Sequence, residues 1–294
     1  MSVFSKKTTL VHHITYMGIM AAINLIFIIL DTYIPFLMLI LILLLPFAST
    51  VVSYYCLKRY YPIYALASVG LCLIFNISDT IFYIIPALIT GFVIGLFLSK
   101  KIHPFWIILV SAIIESGLTF ALIPLINLIS NTDFINSLLT LLHLATFPYQ
   151  EHLIYLLIFF LSLTQVSLTH FVLFNEIKKI GIDINTRIAS FSAYINGLLI
   201  SLIISLILAL TYPPLSLTFV AIAYYFAAFL FIDIIFSRKK IIYVLISVLF
   251  VISFFGFAIL YSKVDAPLGF ILCGFFPLSV GITSFVNNYL LKAK

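Results

Sequence analysis

Apolar runs of membrane-crossing length recur ten times along the 294 residues, and only short polar connections separate them. About 20 mainly apolar residues carry a helix across the hydrocarbon of a bilayer, with roughly 17 to 25 tolerated. The spans read from the sequence are 14–30, 34–57, 62–77, 81–99, 104–130, 152–174, 189–211, 215–236, 241–260 and 267–291. Hydrophobic residues make up 64% of the chain and charged residues 8%. At a mean hydropathy of +1.30 there is too little polar surface to coat a water-soluble globule. The expected fold is all-α: a polytopic transmembrane helical bundle of about ten helices, resident in the cell membrane.

The connections give this bundle a direction. Lys6, Lys7, Lys58, Arg59, Lys100, Lys101, Lys178, Lys179, Arg187, Arg238, Lys239, Lys240, Lys292 and Lys294 all fall on one side of the predicted threading, and Lys263 alone falls on the other. Cytoplasmic loops collect Lys and Arg, so both termini are expected in the cytoplasm. The same clustering at segment ends argues that the formal charge of +6 serves the inner membrane surface and not nucleic acid. Asp31, Asp79, Asp133, Glu151 and Asp265 occupy the opposite loops, which are too short to fold as a separate domain. Recognition is therefore expected within helices. The longest of these outer connections, 131–151, has an apolar middle from Phe134 to Phe147 that is too short to span, and a helix lying at the outer surface is predicted there. On the basic side, the polar stretch from Asn175 to Arg187 divides six helices from four. Two domains follow, residues 1–177 and residues 178–294, with no repeat between them to support an inverted-repeat transporter.

Several chemistries lack the residues to perform them. Cys56, Cys72 and Cys273 are odd in number and widely separated, without the paired spacing of a disulfide or metal framework. No His-x-x-x-His or Glu-x-x-His pattern, phosphate-cradling Gly-Lys-Ser/Thr loop or Gly-x-Ser-x-Gly elbow occurs. No metal, no cofactor and no catalytic activity are expected. Lys6 and Lys7 precede an apolar run as in a signal peptide, but no small-residue cleavage site follows, so that run is expected to remain as the first helix. Abundant Ile, with 30 Phe and 17 Tyr, fits an AT-rich coding sequence and a low-GC bacterium.

In lipid, helices associate through small residues that let backbones approach, and such residues concentrate in two helices. Gly18, Ala21 and Ala22 lie in the first; Gly91 and Gly95 lie in the fourth, after Pro86 and Thr90. They serve either internal packing or docking of a partner helix. Glu115 is the carboxylate placed deep in a span, about 16 Å from the inner boundary at ~1.5 Å per residue from Pro104. Ser111, Glu115 and Thr119 recur every four residues as one polar stripe that should face the protein interior. Two readings of Glu115 stand: substrate contact or proton coupling, and a protonated carboxyl that locks helices together. Asn24, Ser162, Gln165 and Thr169 extend the inward polar set, as helix bridges or as ligand contacts. Tyr33, Tyr83, Tyr149 and Tyr212 fall near outer segment ends, where aromatic rings ordinarily sit at headgroup level. With Asn76, Asp79, Asn127, Gln150 and Glu151, Tyr83 and Tyr149 would also gather at an outer mouth if the first six helices form one bundle.

The succession Met17-Gly18-Ile19-Met20-Ala21-Ala22-Ile23-Asn24, then a Pro-containing second helix, a short third, and Ile85-Pro86-Ala87-Leu88-Ile89-Thr90-Gly91 with Gly95 and Lys100-Lys101 resembles the substrate-binding S components of energy-coupling-factor transporters. Over its full length the chain resembles the uncharacterised YybS-like membrane proteins, relatives of those S components. The resemblance covers about the first 174 residues best. It implies a six-helix core that captures a micronutrient from outside and docks on a membrane T component driven by separate ATPases. It also implies that Gly18, Ala21 and Ala22 form the docking face. Four helices beyond Arg187 depart from that pattern and could occupy the same face. The function expected is binding or uptake of a small solute without catalysis. The alternative is a structural or signalling membrane protein that keeps the bundle and has lost the ligand.

Overall fold

The computed structural model describes residues 9–34, 38–131, 133–141, 150–179, 191–236 and 274–286. All the elements formed by these residues are helical. They are α1 (Leu10–Tyr33), α2 (Met38–Tyr55), α3 (Tyr61–Leu73), α4 (Ile77–Ser99), α5 (Pro104–Ser130), α6 (Phe134–Leu141), α7 (Gln150–Lys179), α8 (Phe191–Thr211), α9 (Pro213–Phe236) and α10 (Phe275–Phe285). Among the described residues five stretches are long and apolar enough to cross a membrane: Leu10–Leu30, Ile77–Ser99, Pro104–Ile129, Leu153–Asn175 and Phe191–Thr211. The predicted span 241–260, the part of the 175–187 seam beyond Lys179 and the connection 142–149 lie outside the described residues.

The chain divides into two compact units. The first holds residues 1–142 and 158–188, the second residues 143–157 and 189–294, so α7 contributes to both. In the first unit α1 begins at Thr9, whose hydroxyl accepts the His12 N–H at 3.3 Å. This cap satisfies one of the amides a helix start leaves unpaired. Tyr16, Met17, Met20, Ala21, Asn24 and Ile28 fall every three or four residues on the buried face of α1, while Val11, Ile14, Gly18, Ala22 and Ile26 are exposed. A helix that is apolar on its exposed face as well as its buried one suits a lipid solvent. The core cluster combines this face with Val51 and Val52 of α2, Tyr64 and Cys72 of α3, and Ala87 and Leu88 of α4.

Within the first unit the most extensive packing joins α2 to α4. Gly91 and Gly95 lie against Ser49 and Ser53, whose hydroxyls donate to the Ala87 carbonyl at 2.8 Å and the Phe92 carbonyl at 3.0 Å. A methyl group on Gly95 would come within 2.8 Å of the Thr50 carbonyl oxygen. The small-residue face of α4 is thus occupied by α2, and the hydroxyls crossing it add hydrogen bonds to van der Waals contact.

Sequence and structure differ at α3. The helix ends at Leu73, earlier than the predicted residue 77, because Asn76 caps the next helix: its side-chain oxygen accepts the Asp79 N–H at 3.1 Å. At its other end α4 stops in a Schellman arrangement, with Ile102 N–H bonded to the Phe97 carbonyl and Lys101 N–H to the Leu98 carbonyl. Lys101 takes the left-handed position at φ 54°. Two residues later His103 caps α5, its Nδ1 accepting the Phe105 N–H at 3.3 Å, and Pro104 occupies the first helical position.

In the second unit, α8 and α9 form a tight hairpin. Tyr212 alone separates them, and Pro213 and Pro214 start the new helix where a missing N–H does no harm. Ser205 and Ser216 clasp the pair, and α10 packs against both helices. Gly197 lies so close to the Phe226 ring that an added Cβ would sit 2.2 Å from it. The Tyr155 and Tyr212 hydroxyls meet at 3.0 Å within this unit.

Candidate functional site

The start of α4 is not regular. Residues Thr80–Ile84 form a π-helical turn, closed by the Ile85 N–H on the Thr80 carbonyl. Its cause lies one turn ahead: Pro86 has no N–H to give the Phe82 carbonyl, and in a normal α-helix its ring would collide with that oxygen. Widening the turn relieves the collision and changes the directions of the side chains it carries. Phe82 and Tyr83 sit on this turn, with ring centroids 4.9 Å apart in an edge-to-face arrangement.

A cavity of about 160 Å³ opens beside them in the first unit. It is lined by Phe82, Tyr83 and Pro86 of α4, Glu115 and Thr119 of α5, Phe134 and Leu138 of α6, and Ile158, Leu161, Ser162 and Gln165 of α7. The 3.6-residue period explains each set: Glu115 and Thr119 are four apart, as are Phe134 and Leu138, and Ile158, Leu161, Ser162 and Gln165 follow at three and four. Glu115 is 4% exposed, and its Oε2 has no hydrogen-bond partner among the described residues. Its main-chain carbonyl accepts the Thr119 hydroxyl at 3.0 Å. The described lining contains no Lys, Arg or His.

α6 forms one side of this cavity. Asp133 anchors its start by accepting the Asn136 N–H at 3.2 Å, and Asn127 of α5 accepts the Phe134 N–H at 3.0 Å through its side-chain oxygen. Phe134 then packs against Phe82 at a centroid distance of 4.6 Å. Asn136, Ser137 and Thr140 are exposed on the opposite face, while Leu139 is buried. The result is a short amphipathic helix closing the space between α4, α5 and α7.

Of the six residues singled out from the sequence as substrate contacts, Glu115 and Tyr83 line the cavity. The other four make local or interhelical bonds. Asn24 is buried and donates to the Tyr64 hydroxyl at 3.0 Å. Asn76 and Asp79 bond to each other, amide to carboxylate as well as backbone to side chain. Asn127 holds Phe134, one residue of the wall. Among the small residues, Ala21 is buried in the core, whereas Gly18 and Ala22 are exposed and nothing lies within 4 Å of where a Gly18 Cβ would stand. Phe82, Phe134 and Leu138 belong to the cavity too, although nothing in their own segments marks them as site residues. The Phe134/Leu138 spacing is visible in the sequence, but which helices it faces is not.

A second hollow, about 270 Å³, lies in the second unit and is lined by Leu199, Leu202, Ile203, Leu206, Val220 and Leu278 with Ser205 and Gly274. The one hydroxyl of its described lining is engaged with Ser216, so among the described residues no free polar side chain lines it to orient a solute. The described residues contain no group of three or more His, Cys, Asp or Glu side chains able to hold a metal ion. No family model, characterised protein or solved structure matches this chain.

Proposed function

We propose that this chain is an integral membrane protein that binds a small solute in the α4–α7 cavity and serves its uptake without catalysis, as the capture subunit of a transporter of the energy-coupling-factor type. The observation that carries the reading is the Glu115 carboxyl, buried beside the cavity with one oxygen unpaired among the described residues. A carboxyl that locked helices together would spend that oxygen on a neighbouring helix, since an unsatisfied buried polar atom costs about 1–3 kcal/mol. Pockets few in polar groups and rich in aromatic walls are the usual form of small-molecule sites. The positive-inside bias of the loops supports cytoplasmic termini, and the exposed Gly18 and Ala22 support close approach of a partner helix such as that of a T component.

Size favours one restriction and one second reading. At about 160 Å³ the cavity falls below the roughly 300–1,000 Å³ typical of drug-sized ligands. The solute is therefore smaller than a multi-ring vitamin. The same smallness favours a bundle retained for structural or signalling work after loss of its ligand.

Mass spectrometry of small molecules released from the purified protein tests the choice. Uptake requires a solute retained by wild type and lost from Leu138→Trp, which fills the cavity, together with recovery of an ATPase-bearing membrane partner that Gly18→Leu weakens. A wild-type protein that retains no solute and no such partner leaves the second reading in possession.

A further inference from the structure

Resting on the reading of the α4–α7 cavity as a solute site, we infer that its ligand is a small organic cation, a protonated amine on a compact apolar body. The cavity walls set this chemistry. Glu115 is the one acidic group in the described lining and is 4% exposed, with Oε2 free of any hydrogen bond among the described residues. An ammonium group answers that oxygen with both a donor and an opposite charge, the combination that makes hydrogen bonds strongest. It also supplies the counter-charge a buried carboxylate needs and that the described lining, lacking Lys, Arg and His, does not provide.

The rest of the lining rejects the other classes. An anionic solute would meet Glu115 with no cation in the described lining to offset it. A metal ion would find one carboxylate where hard cations take six or more oxygens. A sugar-like solute would meet Tyr83, Thr119, Ser162 and Gln165 as well as Glu115, but its remaining hydroxyls would lie against Phe82, Phe134, Leu138, Ile158 and Leu161, where each unpaired one is penalised. An amine needs one strong acceptor, and the apolar part of the wall, Phe82, Phe134, Leu138, Ile158 and Leu161, suits its carbon frame. Phe82, Tyr83 and Phe134 put aromatic rings in the wall, and aromatic rings attract cations most when water is excluded. A dry cavity of about 150 Å³ takes a molecule the size of benzene, so the cavity fits a monocyclic or short-chain amine.

Benzylamine, benzyl alcohol and benzoate share one shape and differ in charge, and their binding to the full-length protein in nanodiscs can be measured by equilibrium dialysis against empty nanodiscs. Benzylamine should bind at least about tenfold more tightly than benzyl alcohol, a difference of about 1.4 kcal/mol, and benzoate should not bind above the empty-disc background. Glu115→Gln should remove the benzylamine preference while benzyl alcohol binding stays, and Leu138→Trp should abolish both. Equal binding of amine and alcohol, or an unchanged preference in Glu115→Gln, overturns the cationic ligand while the cavity reading survives. Failure of all three probes to bind overturns the cationic ligand as well. The cavity reading then falls only if wild type also retains no solute of its own. Monodisperse elution and an unchanged unfolding temperature identify properly folded variants, and Glu115→Asp, which keeps the charge, should restore part of the preference if Glu115→Gln fails that check.

Discussion

The side-chain oxygen of Asn127 accepts the main-chain N–H of Phe134 at 3.0 Å, tying the end of α5 to the first residue of α6. Together with the Asp133 cap this bond sets the entry of the helix that closes the cavity, and it holds Phe134 where that ring packs against Phe82.

Asn127→Ala should therefore lower stability by about 1 kcal/mol, the usual net worth of one such hydrogen bond. Its more specific effect is local. Hydrogen exchange across residues 133–141 should accelerate while exchange in α2 and α4 stays as in wild type, and uniform acceleration would show that Asn127 does not act through α6.

Gly95→Ala and Gly18→Ala make a contrast within one chemistry. The first drives a methyl group to within 2.6–2.8 Å of Ser53 and the Thr50 carbonyl, and the second adds it to open space. Overpacking at Gly95 should cost about 1–3 kcal/mol, whereas Gly18→Ala should stay within about 0.5 kcal/mol of wild type. Thermal unfolding in detergent measures both, and equal effects would contradict the α2–α4 packing.

The clasp between α8 and α9 is reciprocal: Ser205 Oγ donates to the Ser216 carbonyl at 3.1 Å and Ser216 Oγ to the Ser205 carbonyl at 3.0 Å, with the two hydroxyls 3.1 Å apart. Each Ser→Ala change should cost about 0.6–2 kcal/mol, the range for polar contacts between membrane helices. Because the hydroxyls also touch, a double-mutant cycle should give a coupling of about 0.5 kcal/mol or more. Strict additivity would mean the two bonds act separately.

At the start of α5, burial holds the His103 imidazole below its ordinary range near 6.5, and its Nδ1 acts as acceptor for the Phe105 N–H only when unprotonated. With the folded value below the unfolded one, the contribution of the neutral ring is complete above about pH 6.5 and is lost as the pH falls through the folded value. Other histidines titrate too, so the informative quantity is the difference between wild type and His103→Asn, which keeps a capping oxygen and has no proton to gain. That difference should move in favour of the variant between pH 7 and pH 5. A flat difference would remove His103 as a source of pH dependence.

The helices were legible wherever one segment's own composition decides them. α5 runs from Pro104 to Ser130 because an apolar run is bounded by a proline at its start and polar residues at its end. The Glu115–Thr119 stripe follows from period alone. Asn76 is a different case: an Asx residue whose oxygen meets the amide three residues on is a local signal, one that ends α3 ahead of Asn76 and makes Asp79 its partner. What stayed hidden is relational. Asn24 reaches Tyr64 forty residues away, and Phe134 and Leu138 gain their role from standing opposite α4 and α7. The π turn depends on Pro86 acting backwards on Phe82, and no hydropathy pattern records that. Cavities are made by the gaps between neighbours, so a chain read one helix at a time shows their polar groups without their walls.

The reversal between α4 and α5 has no slack, because the Schellman closure around Lys101 runs straight into the His103–Pro104 cap. Angular phase is then inherited from one helix by the next. One residue inserted between Pro104 and Glu115 would rotate everything beyond it by about 100°, sending the carboxylate out of alignment with Phe82 and Tyr83 while the average apolarity of α5 barely changed. Related chains that differ by such an insertion would cross a bilayer equally well and present a different chemistry inside it, so spacing along α5, more than hydropathy, is the trait by which shared specificity can be traced.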